Sequence, residues 1–559
     1  MPDISAEQFK NHKQFVKSME DERSQWLRLW QDLSDYYLPQ RYRWLMTDKQ
    51  YQSTRARRQS IINNTGTNAA RTLAAGMMNG ITSPSRPWYK LRIPGIEASQ
   101  IRPLAIWLEE VEHTMLQVMA ESNFYNSMAV MYLDMAVFGT ASNLIYEDYE
   151  NVIHCYNPPL GEYCLATDER GLVNIFSRSF KRKIYQVVSR WPDRRYWSDR
   201  IKNAVEKGGS ALAGDVDLCH FIAPNKLGLV PKRFKYYEMY FEKRRSQNDT
   251  GQLLHLSGFN ELPGIFARWE VSGTDPYGVS PGMDALGDNI ELQHLHRNKA
   301  ELLEKSHKPP MMLDVALQNN PVALMPNGMT FVSNLANNPG AKPILSVNPN
   351  FAELNVDRQG IEERIRNAFY NFLFSGITDL STVRSATEID ARESEKLILL
   401  GGVLERFESE ALDPSIKRIF SICERAGLLP PRPEGFEDAP LEIQYVSILS
   451  IAQKAVGTAP AERWLGVLGN TAAVRPDVLD LTDFDKLFTN YARDIGLRES
   501  ELNDPAAIEA IRQQRAEAES EAQAQASAPG LAQSAKTLSE TDVGGGGNAL
   551  ETLLGGGGV

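Results

Sequence analysis

Two helical segments on either side of a short, turn-rich insert are the feature that most constrains this fold. Apolar residues recur at spacings of three and four in two separate stretches. The residues at the centre of these stripes are Leu286, Ile290, Ile365, Phe369 and Phe372. Between them, the pair Asn327 and Gly328 is typical of a hairpin turn. The pattern predicts helices over 281–305 and 353–374, separated by a compact β-containing insert at 306–352.

A loop and another long helix are predicted directly after this arrangement. Residues 375–385 have neither a helical nor a strand period, which predicts a loop. Ser385 and Glu388 form a capping box, which indicates the start of a new helix. Its apolar spacing continues to Pro414, a typical first-turn residue, so we expect the helix to restart or bend there. The helix and the connection after it occupy 386–445.

The first half of the chain is predicted to contain helices followed by strands. Apolar and aromatic residues fall at helical spacing over 5–38, and further helices are predicted over 61–81, 102–121 and 123–138. From about 144 to 268, short runs rich in Tyr, Val, Ile and Phe alternate with turn signals, which predicts strands. The expected fold class is α+β and mainly helical.

The C-terminal part combines a helical region with a tail of biased composition. Helices are predicted within 446–503. Residues 504–559 are rich in Ala, Gln, Glu and Ser and end in two blocks of four glycines. Such a segment cannot bury enough apolar area to offset the entropy of ordering it, so we expect disorder.

The charge balance and the cysteine pattern exclude several classes of protein. The 60 basic and 71 acidic residues leave a formal charge of -11, which argues against a broad grip on nucleic acid phosphates. Four cysteines lie far apart without a CxxC pair, so neither a disulfide framework nor a zinc site is indicated. The longest apolar stretch, 69–81, is too short to span a bilayer. We expect a soluble protein that is made in a reducing, cytosolic compartment.

One string resembles a catalytic motif. Residues 278–282, GVSPG, match the G-x-S-x-G nucleophile elbow of serine hydrolases. In that elbow the residue after the serine donates its backbone N–H to the oxyanion, and Pro281 has no N–H to donate. We therefore favour Ser280 as the N-cap of the next helix. A serine hydrolase that acts through Ser280 stays a remote alternative.

Other motifs that would carry chemistry are absent from the sequence. No G-x-x-x-x-G-K-[ST] string is present, which argues against a P-loop motor. The eight histidines form no H-E-x-x-H or His–Cys cluster, so we predict no metal, no cofactor and no catalytic residue. Four basic residues lie on or just after the helix over 281–305: Arg297, Lys299, Lys305 and Lys308. A solvated helix face is favoured for them over a role facing phosphate.

Several stretches, taken in order, resemble the head-to-tail connecting protein family, the portal subunits of short-tailed phages. They are the N-terminal helix ending YYLPQR, then SPSRPWYKL, MAVFGTASNLIYED, YCLATDERGLV, RWEVSGTDPYGVSPGMDALGD, VRSATEIDARESE, VRPDVLDLTDFDKLF and YARDIGL. The resemblance covers roughly residues 10–500. Its most specific blocks are 268–288 and 383–412.

This resemblance implies a non-enzymatic subunit of a ring, usually a dodecamer, around a central channel. By matching order, 1–280 and 386–445 would form the wing, 281–305 and 353–374 the stem, 306–352 the clip, 375–385 the tunnel loop and 446–503 the crown. Such a ring at one capsid vertex serves genome packaging, retention and ejection. It also docks the packaging motor and later the tail.

The tunnel loop is the segment that the resemblance places against DNA. Its central residues are Thr378, Asp379, Leu380, Ser381, Thr382 and Val383. Only Asp379 is ionisable among them, so we expect steric contact rather than a grip on phosphate. An acidic chain suits a smooth channel, because a basic lining would release counterions and adhere to the duplex.

The resemblance also implies partners and a location. The partners are the other ring subunits, double-stranded viral DNA, the terminase large subunit, a tail adaptor, and the major capsid and scaffolding proteins, with no membrane. The location is the portal vertex of the virion, after assembly in the host cytoplasm. The four basic residues above become candidate channel or clip residues. The alternative is another structural virion protein, such as a tail adaptor or minor capsid protein.

Overall fold

The computed structural model describes the greater part of the chain. The described residues are 4–41, 45, 61–94, 102–243, 252–307, 311–312, 342–343, 350–374, 400–436, 440–445, 463–469, 471, 475, 481–494, 503 and 505–540. Backbone contacts divide the chain into two units. The first unit comprises Met1–Arg92, Glu109–Arg432 and Asp438–Pro460, and the second comprises Ile93–Leu108, Pro433–Glu437 and Ala461–Val559.

The four N-terminal helices predicted from the sequence are present. They are α1 (Ala6–Tyr36), α2 (Thr65–Ile81), α3 (Arg102–Glu121) and α4 (Phe124–Phe138). Ser5 caps α1 in a reciprocal capping box with Gln8. Helix α2 begins four residues later than predicted, because residues 61–64 are held outside the helix by side chains described below. Helix α4 is apolar on nearly all sides and lies in the core of the first unit.

The predicted β region forms two antiparallel sheets. Its strands are β2 (Thr140–Asp148), β3 (Val152–Tyr156), β4 (Tyr163–Thr167), β5 (Val173–Lys183), β6 (Asp215–Pro224), β7 (Tyr236–Glu242), β8 (Leu253–Phe259) and β9 (Gly264–Arg268); β1 (Tyr89–Arg92) precedes them. The order is β3-β2-β9 in the smaller sheet and β4-β5-β6-β7-β8 in the larger. Two helices that the sequence analysis missed, α5 (Ile184–Arg190) and α6 (Asp199–Lys207), lie between β5 and β6.

The larger sheet has a core on each face, because side chains alternate along a strand. On β6, Cys219 and Phe221 belong to a buried cluster that contains Val16 and Met19 of α1. The alternating residues Val216 and Leu218 belong to a second cluster formed with side chains of α5 and α6. The N-terminal helix and the two short helices therefore cover opposite faces of this sheet.

The two bracketing helices are present, and both are interrupted. The first is a short α7 (Pro281–Asp284) followed, after Ala285, by α8 (Leu286–His307). The second is α9 (Phe351–Ala368) followed by α10 (Asn371–Phe374). The break between α9 and α10 lies at Tyr370, whose φ of 53° is in the left-handed region. The sequence analysis predicted an unbroken helix at both of these positions.

The long helix after the predicted loop contains a π-helical segment. It is described as α11 (Gly401–Phe407), the π segment Glu408–Leu412 and α12 (Asp413–Arg425). The predicted change near Pro414 is confirmed, since the α-helix resumes there directly after the π turn. Gly427, with a φ of 70°, follows its C-terminus. Strand β12 (Glu442–Tyr445) then pairs with β1.

In the second unit, the tail differs from the prediction. Besides helical residues 463–469 and α13 (Phe484–Asp494), the structure has a helix, α14 (Pro505–Glu540), where the composition predicts disorder. Ala, Gln and Glu have high helix propensity. The disorder prediction considered only apolar area and did not include this propensity. Residues 509–520 of this helix are nevertheless exposed.

Several predicted segments lie outside the described residues. Of the insert at 306–352, only 306–307, 350–352 and the short pair β10 (Met311–Met312) and β11 (Lys342–Pro343) are described. The predicted Asn-Gly turn and the loop over 375–385 are not among the described residues. Most of 446–480 is likewise outside them. None of the helices that the structure describes is both long and apolar enough to cross a membrane.

Candidate functional site

A close backbone crossing anchors the first of the bracketing helices in the body of the first unit. Gly139 ends α4 with a φ of 74° and lies against the backbone of Gly278. A Cβ at Gly278 would lie 2.5 Å from the Gly139 carbonyl oxygen, well inside van der Waals contact. The Gly278 N–H donates to Thr140 Oγ1 at 2.8 Å. Two of the stretches that carry the family resemblance, MAVFGT and YGVSPG, therefore meet at this crossing.

Ser280 is an N-cap in the structure, as predicted. Its Oγ accepts from the Met283 N–H at 3.1 Å and donates to the Val137 carbonyl at 2.7 Å. The side chain is 1% exposed, and Pro281 occupies the first turn. Since the hydroxyl is buried and both of its hydrogen bonds go to backbone, Ser280 ties α7 to α4 and has no geometry for nucleophilic attack.

Helices α8 and α9 pack against each other as an antiparallel pair. Arg364 of α9 donates to Asp288 at 3.0 Å and to Glu291 at 3.3 Å on α8. Nearer the other end, Lys299 Nζ donates to Asn355 Oδ1 at 2.9 Å. These polar contacts run along one side of the pair and fix its register.

The predicted packing residues of the pair divide into buried and half-buried groups. Ile365 and Phe369 are fully buried, and the Phe369 ring packs edge-on against Tyr37 of α1 with centroids 5.6 Å apart. Leu286, Ile290 and Phe372 are only half-buried in the single chain. On α8 the buried residues are instead Asn289, Leu292 and Gln293. The stripe predicted for α8 is therefore rotated relative to the face that α8 buries.

A polar network, which the sequence analysis missed, holds the segment before α2 against α8. Gln293 Oε1 accepts from the N–H groups of Ile62 and Asn63 at 2.9 and 3.0 Å, and its Nε2 donates to the Asn63 carbonyl at 2.7 Å. About one turn earlier on α8, Asn289 Nδ2 donates to the Tyr36 carbonyl at 3.1 Å. Two amide side chains thus bind backbone groups of two distant segments.

The same network extends to α9. Asn63 Nδ2 donates to Glu362 Oε1 at 3.0 Å and lies 2.9 Å from His296 Nε2. Arg358 pairs with the same carboxylate at 2.6 Å. Burial lowers the pKa of His296, with the nearby Arg358 acting in the same direction, which favours the neutral ring that can accept a hydrogen bond. One end of the α8–α9 pair is therefore bound to the body through satisfied polar groups.

A buried ion pair connects the smaller sheet to the π segment. Arg268 at the end of β9 binds Glu410 through two nitrogens at 3.1 and 2.6 Å. It also donates to the carbonyls of Gly171 and Asp275 at 2.8 and 2.9 Å. Arg268 is 2% exposed, so each guanidinium bond is made away from water. The extra residue of the π turn lies directly at this contact.

The candidate DNA-facing residues are only partly described. Arg297 and Lys305 are exposed on α8, whereas Lys299 is half-buried and bonded to Asn355. Lys308 and the loop residues Thr378, Asp379, Leu380, Ser381, Thr382 and Val383 lie outside the described residues. The structure therefore brings Arg297, Lys299 and Lys305 onto one helix and does not test the loop.

Charged and sulfur-containing side chains do not converge on a metal in the described part of the chain. No group of three or more His, Cys, Asp or Glu residues there could hold an ion. All four cysteines are free and buried. Burial raises the pKa of Cys155 to about 12, which keeps its thiol protonated.

These features define an α+β protein in which buried polar contacts hold an antiparallel helix pair against the body of the first unit. Residues 10–502 match the family described as bacteriophage head to tail connecting protein, and the chain belongs to this family. Its function is that of a viral portal, the connector between head and tail.

Two curated relatives are described as a portal protein and a probable portal protein. The portal protein of Salmonella phage epsilon15 is 37% identical over 533 residues, which is 94% of each chain. The probable portal protein of Bordetella phage BPP-1 is 34% identical over 503 residues, or 89% of each chain. A solved structure described as the neck of an empty GTA particle computed with C6 symmetry has a TM-score of 0.32 and 11% identity, covering 72% of this chain and 86% of that one. As members of this family, such proteins are structural components of the virion at the capsid.

Proposed function

We propose that the chain assembles into a dodecameric ring whose channel wall contains α8 and α9, and through which double-stranded viral DNA is packaged, retained and ejected. The 375–385 loop faces the DNA in this proposal. The ring docks the terminase large subunit during packaging and a tail adaptor afterwards, and the capsid and scaffolding proteins surround it. Assembly takes place in the host cytoplasm, and the subunit has no catalytic role of its own.

The observation that carries the proposal is the uneven burial of the helix pair. At one end, Gln293, Ile361 and Ile365 are buried against the body. At the other end Val356 is 67% exposed and Leu303 is 37% exposed. A two-helix hairpin with little apolar contact of its own needs neighbours to be stable, and identical neighbours in a ring supply them.

The charge of the pair suits a passage for DNA. Helix α8 carries four acidic and three basic residues, and α9 carries the same numbers. A nearly neutral wall releases few counterions from the duplex, so it does not hold DNA in place. Arg297 and Lys305 then supply weak, local contacts beside acidic neighbours.

Ring formation tests the assignment of α9 to the wall. We expect the full chain to give particles with an axial hole by negative-stain microscopy, and Val356→Asp to give folded monomers. Leu227→Asp introduces the same charge at a side chain that is 62% exposed in the β region, and is expected to leave rings intact. Normal rings of the Val356 variant would show that α9 is not at the subunit interface.

A deletion tests the loop. Removing Thr378 to Thr382 is expected to leave ring assembly intact and to impair packaging or retention, measured as packaged genome length in particles that carry the mutant ring. Full-length, stably held genomes would contradict a gating role. Loss of rings would show instead that the segment is part of the subunit core.

A further inference from the structure

A cavity of about 610 Å³ lies between the two sheets of the first unit, on the side covered by α5. Strands β2 and β3 form one wall, β5 and β7 the floor, and α5 with Trp191 the other wall. The volume is in the range of sites that bind a small molecule or several side chains of a peptide. None of the described residues of the helix pair lines it.

Cations and aromatic rings line this cavity in a fixed arrangement. The Arg178 guanidinium lies between the rings of Tyr156 and Phe180, 4.3 and 4.2 Å from their centroids, and is held by the buried Glu162 at 2.8 Å. Its charge is therefore already paired. Arg178 shapes the floor and is not the group that would bind a ligand.

Two further arginines retain unpaired charge. Arg182 lies 5.2 Å from the Phe180 ring, and Arg190 lies 5.4 Å from the rings of both Trp191 and Tyr240. Both line the cavity, and neither has an ion-pair partner within the described residues. Stacking on rings pre-orders a guanidinium while leaving its N–H groups available to a carboxylate.

We propose that this cavity binds an acidic peptide segment of a partner protein, with a carboxylate held by Arg182 and Arg190 and an apolar or aromatic side chain of the peptide against Trp191. Arginine clusters with aromatic walls recognise acidic segments by paired charge-assisted hydrogen bonds. The proposal goes beyond the portal function and does not depend on where the helix pair lies in a ring.

Two observations favour a peptide over nucleic acid. First, the cavity is a bounded space of about 610 Å³, which fits a few side chains of a peptide and not the continuous backbone of a duplex. Glu147 and Asp148 also line it, and the charge of Glu147 is neutralised by Arg425 at 2.7 Å. Second, three basic residues of the following segment are held in ion pairs within the chain. These pairs are Lys183–Asp215, Arg195–Asp193 and Lys202–Asp199. These pairs reduce the positive charge that the segment offers to a phosphate backbone, whereas Arg182 and Arg190 keep their charge within the cavity.

Fluorescence anisotropy with the full chain tests the site. The probe is a fluorescein-labelled Glu-Glu-Tyr-Glu-Glu peptide, and the matched peptide has glutamine in place of each glutamate. We expect saturable binding of the acidic peptide only. The double variant Arg182→Gln/Arg190→Gln is expected to raise its Kd about tenfold or more, equivalent to about 1.4 kcal/mol or more. Arg195→Gln, a charge loss in the same segment outside the cavity, should change Kd less than about twofold.

Three results would overturn the proposal. They are equal binding of the glutamine peptide, an equal loss in the Arg195 variant, and no saturable binding of the acidic peptide below about 1 mM, the affinity of a very weak complex. A labelled duplex oligonucleotide is tested in the same way, as the nucleic acid ligand. Tighter binding of that duplex, lost in the double arginine variant, would assign the cavity to DNA. Rings in negative stain would still support the portal function in each case.

Discussion

Gly139 and Gly278 lie with their backbones in contact, so that neither position has room for a side chain. Gly139 also has a φ of 74°, which a residue with a Cβ adopts only with strain. The crossing is where the central helix α4 meets the segment that leads into α7 and α8. The helix pair consequently depends on two glycines that are 139 residues apart in the sequence.

Gly278→Ala is expected to destabilise the chain by about 2–4 kcal/mol, because backbone atoms on both sides must move. Gly287→Ala is the matched control. It lies in α8, where an added methyl group would meet open space, so we expect a change within about 1 kcal/mol, towards higher stability. Urea unfolding of the two variants measures the difference. Equal stabilities would show that the crossing is looser than its geometry indicates.

Arg268→Met is expected to cost about 3–5 kcal/mol, because it leaves the Glu410 carboxylate buried without its partner. The double variant Arg268→Met/Glu410→Leu should recover part of this loss, since no buried charge is left. Arg195→Met breaks an exposed pair with Asp193 and should change stability by less than about 1 kcal/mol. A double variant that is no more stable than Arg268→Met, measured by urea unfolding, would contradict this account.

Local signals in the sequence predicted much of the fold, because they depend on neighbouring residues alone. Ser280 was predicted as an N-cap, and its side chain accepts from the nearby Met283 N–H. The apolar spacing over 5–38 predicted α1. The short helices α5 and α6 were missed because each has few turns and follows a strand without a clear change of period. The tail helix was missed because apolar content was weighed without helix propensity.

Contacts between distant segments could not be predicted in the same way. Gln293 binds backbone groups of Asn63, 230 residues away. Arg268 and Glu410 are 142 residues apart. Nothing in either residue's local sequence identifies its partner, because many arginines and glutamates are available to pair. The candidate site was therefore predictable as a helix pair, and its attachment to the body was not.

The buried carboxyl of Glu112 is expected to make the stability of the folded chain depend on pH. Its Oε1 accepts from the Leu91 N–H at 2.5 Å, and burial raises the pKa of its carboxyl to about 7 from an ordinary value of 4.5. Between these pH values the folded chain holds a proton that the unfolded chain has lost. Stability therefore falls as pH rises from 4.5 to 7, and the contribution of the protonated acid is lost above that range.

Glu112→Gln should remove this dependence, because the amide keeps an oxygen for the Leu91 N–H and does not ionise. We expect the variant to gain about 1–2 kcal/mol relative to the wild type at about pH 8 and little at about pH 5, after allowance for partial exposure. Glu110→Gln, at an exposed position on the same helix, is the control. The thermal unfolding midpoints of both variants at the two pH values measure the difference. If Glu112→Gln and Glu110→Gln change the midpoint equally, burial of Glu112 is not the cause.

The segment that forms α14 is expected to be dispensable for ring formation, although it is helical. Ile511 is 39% exposed, and the ion pair of Arg512 with Asp485 at 2.7 Å lies on the surface, where such a pair contributes about 0–1 kcal/mol. Deleting 505–559 should therefore leave rings in negative stain and shift the thermal unfolding midpoint by only a few degrees. Deleting 481–559 also removes α13, whose Phe484 and Phe488 rings stack with centroids 6.3 Å apart, and should lower that midpoint further. Loss of rings in the shorter deletion would mean that α14, despite its exposure in the single chain, is buried between subunits.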